Sequence, residues 1–249
     1  RAQRWMTNVG FSVHVFDRSR TTSVADMIFR NEYQGKKNVV RIDVLSPSRL
    51  FQYLQMNWLT PAERAMSAFY FAVDIRKRNE LQMEVLNSRG LAGLYEAIVQ
   101  TSGREMFEAL CAITKYLEAC SKDDGAVIIH CVQGKDRTGL LVMLCQSIIG
   151  ATDEVIIEDY CLSECMRKGS AAVDAVQNRE KKPGRLDRTA FAGAPKDAMI
   201  ETLTFLRNEY GSVCPGYLDF IGFDSEWRSR FQRCLNFPVS VNAFPLSKM

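Results

Sequence analysis

Apolar and polar residues alternate with two different periods along this chain. A period of two comes first: Phe11, Val13 and Val15, spaced by Ser12 and His14, predict a short strand. Asn38 to Leu45 (NVVRIDVL) is β-rich and ends at the turn signal Ser46-Pro47-Ser48. Leu50 to Val73 is aromatic and apolar, broken at Thr60-Pro61. Thr60 as N-cap, Pro61 in the first turn and Glu63 as first-turn acid predict a helix start there. Over residues 92–119 the period lengthens. Leu94, Ile98, Met106, Leu110, Ile113 and Leu117 recur at helical steps if Thr101-Ser102-Gly103 separates two helices.

After the turn Lys122-Asp123-Asp124-Gly125, Ala126 to Ile129 is a short apolar run of the kind expected of a buried parallel strand. Gly139 to Ile149 is apolar nearly all round, which predicts a buried helix closed by Gly150. Ala151-Thr152-Asp153-Glu154 restarts a helix through Tyr160 and Cys165. Residues 178–195 read as loop, Ala198 to Arg207 and Trp227 to Leu235 as helices. The order predicts an α/β domain, a central, mostly parallel sheet flanked by helices, over residues 38–249. Residues 1–37 form an N-terminal segment with no role assigned by the pattern.

Composition narrows the function. Of 249 residues, 47% are hydrophobic and 24% charged, enough for one sizeable core. A net charge of +3 lacks the dense basic stripe that nucleic acid calls for, but permits a local site for an anion. Eight cysteines without a CxxC pair argue against a zinc ribbon or a disulfide framework. They fit a reducing, cytoplasmic compartment, with most cysteines in the core. No apolar run is long enough for a bilayer span. The chain starts at Arg1, so targeting by an upstream segment stays open.

The informative stretch is Ile128-Ile129-His130-Cys131-Val132-Gln133-Gly134-Lys135-Asp136-Arg137-Thr138-Gly139. A strand ends at His130 and a helix begins near Arg137. Between them the amides of a short loop can turn inward around an anion, at the positive end of the helix. A thiol placed there is stabilised as thiolate and becomes nucleophilic at neutral pH. The planar fork of Arg137 can hold two phosphate oxygens at once. Thr138 can donate its hydroxyl to the sulfur, Gly134 lets the backbone approach a ligand, and His130 can fix the loop. Cys-x5-Arg spacing alone is weak: Cys161 and Arg167 share it, without glycine or preceding strand. A buried structural cysteine before a helix is the bland alternative for Cys131.

His130-Cys131-x-x-Gly-Lys-Asp-Arg-Thr-Gly139 resembles the signature loop of the protein tyrosine phosphatase superfamily. The GKDRTG form is similar to that of its tyrosine/serine phosphatase-like family. Gly90-Leu91-Ala92-Gly93-Leu94-Tyr95, Ser102-Gly103, Asp159-Tyr160, Ser163-Glu164, Ala194-Pro195, Glu209-Tyr210-Gly211-Ser212 and Tyr217 to Gly222 extend the resemblance over roughly residues 38–236. An FRDLGG-like start is not seen.

The resemblance implies a phosphatase fold and a phosphate monoester substrate, on phosphotyrosine-type protein or phosphoinositide, with no metal or cofactor. Cys131 would be the nucleophile and Arg137 the clamp. Val132, Gln133, Gly134, Lys135, Thr138 and Gly139 would line the phosphate. No WPD-like loop is present, and the resemblance points to Asp136 as general acid. A carboxylate that merely suits the first helical turn is the alternative. Asp159 is the second candidate acid, or a structural partner of a loop arginine. Lys135 reads either as a contact to a further phosphate or as a solvated lysine. The aromatic stretch Phe51 to Phe71 belongs mostly to the core, with room for a lid or peripheral membrane contact. A phosphate-binding module without turnover and a rhodanese-like sulfur transferase are the competing classes.

Overall fold

The computed structural model describes residues 11–17, 37–119, 125–165, 184–187 and 190–235. Predicted features that fall elsewhere, such as the turn before Gly125, Arg167 and the charged stretch 179–183, lie outside the described residues.

Three strands are present among the described residues: β1 (Phe11–Asp17), β2 (Lys37–Ile42) and β3 (Gly125–His130). They form one sheet in the order β2-β1-β3. The expected alternation at residues 11–15 is therefore a strand, and it lies in the middle of the sheet. Residues of the N-terminal segment thus pair directly with the domain set apart at residue 38.

Both ladders are antiparallel, with Val13 opposite Val40 and Ile129, in contrast to the mostly parallel sheet expected. The apolar run of β3 carries no information about the direction of its neighbour. It is also covered unevenly. Val127 and Ile129 pack against the core, whereas Ile128 is 46% exposed. One covered face suits an antiparallel sheet better than a parallel one.

Helices dominate the rest. Helix α1 (Pro47–Tyr53) runs into a π-turn at Leu54–Trp58. Helix α2 (Pro61–Val73) starts where the sequence places it, on a complete capping box. Thr60 Oγ1 accepts the Glu63 N–H, and the Glu63 carboxylate accepts the Thr60 N–H (2.8 Å).

Helix α3 (Ile75–Thr101) and α4 (Gly103–Ala119) are separated at Ser102, as the periodicity requires. Ser102 is buried, and its hydroxyl accepts the Leu45 N–H (3.1 Å). Arg49 ties the junction by donating to the Thr101 carbonyl (2.7 Å) and to both Glu105 oxygens (2.6 and 3.1 Å). The first half of α3 escapes the sequence reading. It is bent at Gly90, whose φ of 59° is open to glycine at little cost.

Helix α5 (Asp136–Ile148) is the central helix, with Leu140, Leu141, Met143, Leu144 and Ile148 all buried. Helices α6 (Asp153–Cys165), α7 (Lys196–Tyr210) and α8 (Ser225–Cys234) complete the described fold. Fully buried Tyr217 joins layers by donating to the Val99 carbonyl (2.7 Å). Among the described residues no helix is long and apolar enough to cross a membrane.

Candidate active site

The strand β3 ends at His130, the helix α5 begins at Asp136, and the loop between them carries Cys131. The chain turns here through Gly134, whose φ of 71° is the left-handed conformation that favours glycine. Val132, Gln133 and Gly134 are the exposed rim of the loop, whereas Cys131 beneath them is only 7% exposed. His130 Nδ1 lies 3.2 Å from the Cys131 carbonyl, which braces the start of the turn.

Burial pushes the Cys131 thiol up, but it is outweighed. The Thr138 hydroxyl, the Thr138 N–H, the Arg137 charge and the Gln133 N–H together hold the thiol below its ordinary value. The Thr138 hydroxyl is buried, and its contribution is the largest of those that stabilise the sulfur.

Arg137 is buried at the first turn of α5. Burial lowers its pKa, while the charges of Cys131, Asp136 and Asp43 oppose that shift. A guanidinium stays charged through such a change. Asp43, just past β2, was not singled out in the sequence; no spacing links it to a loop so distant in the chain.

Lys135 departs from both readings offered for it. It is 1% exposed, and its amine donates to Asp136 Oδ1 (2.6 Å) and to the Phe191 carbonyl (3.2 Å). It neither projects to solvent nor reaches outward to a second phosphate. A buried ammonium needs a carboxylate and a carbonyl to offset its lost hydration, and the next residue supplies the carboxylate.

Asp136 also accepts from Tyr95 Oη (2.7 Å), which lies 2.8 Å from Tyr160 Oη. The single proton of Tyr95 is used on Asp136, so Tyr160 donates to Tyr95. Burial pushes both phenols up, and both remain protonated donors. Gly139 belongs to the same packing: its N–H donates to the Lys135 carbonyl (2.9 Å), and a Cβ there would stand 3.0 Å from the Tyr160 ring. Tyr95 and Tyr160 lie in stretches that carried the family resemblance, but nothing in the sequence assigned them a contact with the loop.

Asp159 sits exposed on α6 and accepts from the Gln146 side chain (3.0 Å), a tie between α5 and α6. Cys161, the decoy of the same spacing, lies within helix α6. Among the described residues no group of three or more His, Cys, Asp or Glu could hold a metal ion.

The surroundings move the thiols in opposite directions. Burial pushes Cys111 and Cys145 up to about 12, and it raises Cys214 and Cys234 as well. Iodoacetamide at neutral pH is therefore expected to alkylate Cys131 ahead of those four, as read by peptide mass mapping. Thr138→Val removes the largest stabilising contact, so its alkylation rate should rise only at higher pH than in the wild type. An unchanged pH profile would mean that the hydroxyl does not act on the sulfur.

The arrangement is a thiol held below its ordinary value and a buried guanidinium at a helix N-terminus, beside a carboxylate held by a lysine and a tyrosine. Comparison with known proteins agrees with it. The chain is 24% identical over 169 residues to a tyrosine-protein phosphatase of Nostoc commune, an alignment covering 63% of this chain and 54% of the relative. The chain thus spans about half the length of the relative it matches. It matches the tyrosine phosphatase family itself over residues 15–236, which take in β2, β3, the Cys131 loop and every helix from α1 to α8. On that match, and with the loop chemistry in place, the chain belongs to the tyrosine phosphatase family.

Proposed function

We propose that this chain hydrolyses phosphate monoesters of the phosphotyrosine type through a phosphocysteine intermediate. The carrying observation is the Cys131 thiol held below its ordinary value beside buried Arg137. In the first step the Cys131 thiolate attacks phosphorus, the S–P bond forms and the P–O bond to the leaving group breaks. Arg137 and the loop amides hold the equatorial oxygens, where most of the charge lies. Asp136 gives its proton to the leaving oxygen. In the second step water attacks phosphorus, its proton passes to Asp136, and the P–S bond breaks to restore the thiolate. The Thr138 hydroxyl steadies that thiolate as it leaves.

Lys135 and Tyr95 both converge on Oδ1 of Asp136. The oxygen that exchanges a proton with the leaving group is therefore Oδ2, and Tyr95 acts as a positioning residue. The burial of Lys135 counts against a contact to a further phosphate and so supports the phosphotyrosine-type substrate over a phosphoinositide. A pure phosphate-binding module has no need of an activated thiol, and Thr138 and Arg137 are both in place to activate one.

The leaving group tests the assignment of the acid. Asp136→Asn should lose ~10²–10⁴ in rate on alkyl phosphates, whose alkoxides leave poorly. It should lose far less on aryl phosphates with acidic phenols. Tyr95→Phe should show the same dependence in weaker form, since it misplaces the acid without removing it. Equal losses on both substrate types would mean that Asp136 only shapes the loop.

A further inference from the structure

Helix α2 is amphipathic in the inverted sense. Its inward stripe is Glu63, Ser67 and Tyr70. Fully buried Ser67 donates to Gln55 Oε1 (2.7 Å), which also accepts from the Gln82 amide (3.3 Å). The outward side, at the complementary helical steps, is Ala62, Ala65, Met66, Phe69, Ala72 and Val73. All six are exposed and none is polar. Phe69 is 62% exposed, and neighbouring Phe71 is 66% exposed. A helix on the surface of a self-sufficient domain shows the opposite pattern, and a continuous exposed apolar face marks a binding surface.

Charge identifies the occupant. Arg76, Lys77 and Arg78 follow immediately at the start of α3. Lys77 Nζ lies 5.8 Å from the Tyr70 ring centroid, and the Arg78 guanidinium lies 4.8 Å from that of Phe71. Exposed Arg64 stands on α2 itself, donating to the Leu59 and Met56 carbonyls. The nearest acids are already engaged: Glu63 in the capping box, and Asp74 accepting the Arg76 and Lys77 N–H groups. Exposed Arg76 and Lys77 follow three and four residues after Val73, the C-terminal end of the apolar face, the combination that suits an anionic lipid surface.

We propose that the exposed face of α2 docks on an anionic membrane surface, with Met66, Phe69 and Val73 entering the boundary between headgroups and acyl chains. Exposed Arg76 and Lys77 then lie against lipid phosphates. A second copy of the chain fits less well. A 13-residue helix is ~20 Å long and ~10 Å wide, a strip well short of the ~800 Å² per partner that a stable dimer buries. The proposal is independent of the catalytic reading.

The test uses the full chain and sedimentation with vesicles of phosphatidylcholine alone or with about one-third phosphatidylserine. Binding should require phosphatidylserine and weaken as salt is raised. This preference decides the matter in the wild type even if a variant folds poorly. Arg76→Glu with Lys77→Glu should weaken binding by roughly fivefold per residue or more. Met66→Ser with Phe69→Ser should weaken it by about tenfold or more. Both variants should keep wild-type hydrolysis of a small aryl phosphate, because they lie outside the catalytic loop. Binding without a preference for the anionic lipid would overturn the proposal, and so would variants that bind like wild type. A dimer in sedimentation velocity, dissolved by the Met66 and Phe69 substitutions and unaccompanied by vesicle binding, would assign the face to a second copy instead.

Discussion

Cys131→Ser should lower turnover of an aryl phosphate by at least ~10³–10⁴, while the affinity for a phosphopeptide stays within a few-fold of wild type. The loop stabilises negative charge on the residue 131 side chain through the Thr138 hydroxyl, two amides and Arg137. These groups favour the ionised form of a thiol and hold it below its ordinary value, whereas a serine hydroxyl starts far too high to ionise. The substitution removes little volume, and its neighbours remain to hold the phosphate. Turnover and binding measured side by side separate the competing functions. Full turnover in the serine variant would remove Cys131 as nucleophile. Binding without turnover in the wild type would favour a docking module.

The second large effect is expected at Arg137. Removing a preorganised charge from a phosphoryl-transfer site costs ~10³–10⁵ in rate, and Arg137→Ala should fall in that range. Arg137→Lys is the more informative variant. It retains the charge facing Cys131 and Asp43, so the fold and the thiol should be little disturbed. It loses the planar fork that grips two oxygens at once. We expect kcat/KM to fall by ~10²–10³, with a parallel loss of vanadate affinity. A lysine variant close to wild type would mean that charge alone is sufficient.

Local signals were legible because their physics is local. Thr60-Pro61-Ala-Glu63 specifies a capping box within four residues, and the box forms. Gly150 ends the central helix region with a φ of 81°, as its position predicts. The strand, loop and helix around Cys131 follow from one apolar run, one glycine and one helical run, and they appear in that order.

Contacts across the chain were not legible. Tyr95 and Asp136 stand 41 residues apart, and Lys135 and Phe191 stand 56 apart. No periodicity encodes either meeting. Lys135 shows the cost of this: a lysine in a glycine-containing loop reads as solvated or ligand-facing until its carboxylate and carbonyl partners are seen. The same holds for the sheet. The apolar run at 126–129 predicts a strand, but only the position of β1 between β2 and β3 sets the direction of its ladder. The polar inner stripe of α2 is a further case. Phe69 and Phe71 belong to an aromatic stretch that reads as mostly core, with room for a lid or membrane contact, and only their exposure separates them from that core.

The central claim is that phosphorus passes through the Cys131 sulfur. The direct measurement is rapid acid quenching of the chain during turnover of an aryl phosphate, followed by mass mapping of the phosphorylated peptide. The account predicts one phosphoryl group on the peptide containing Cys131, formed as fast as the phenol burst and absent in Cys131→Ser. Turnover with no phosphoryl group on that peptide at any quench time, or with the group on another residue, would contradict it.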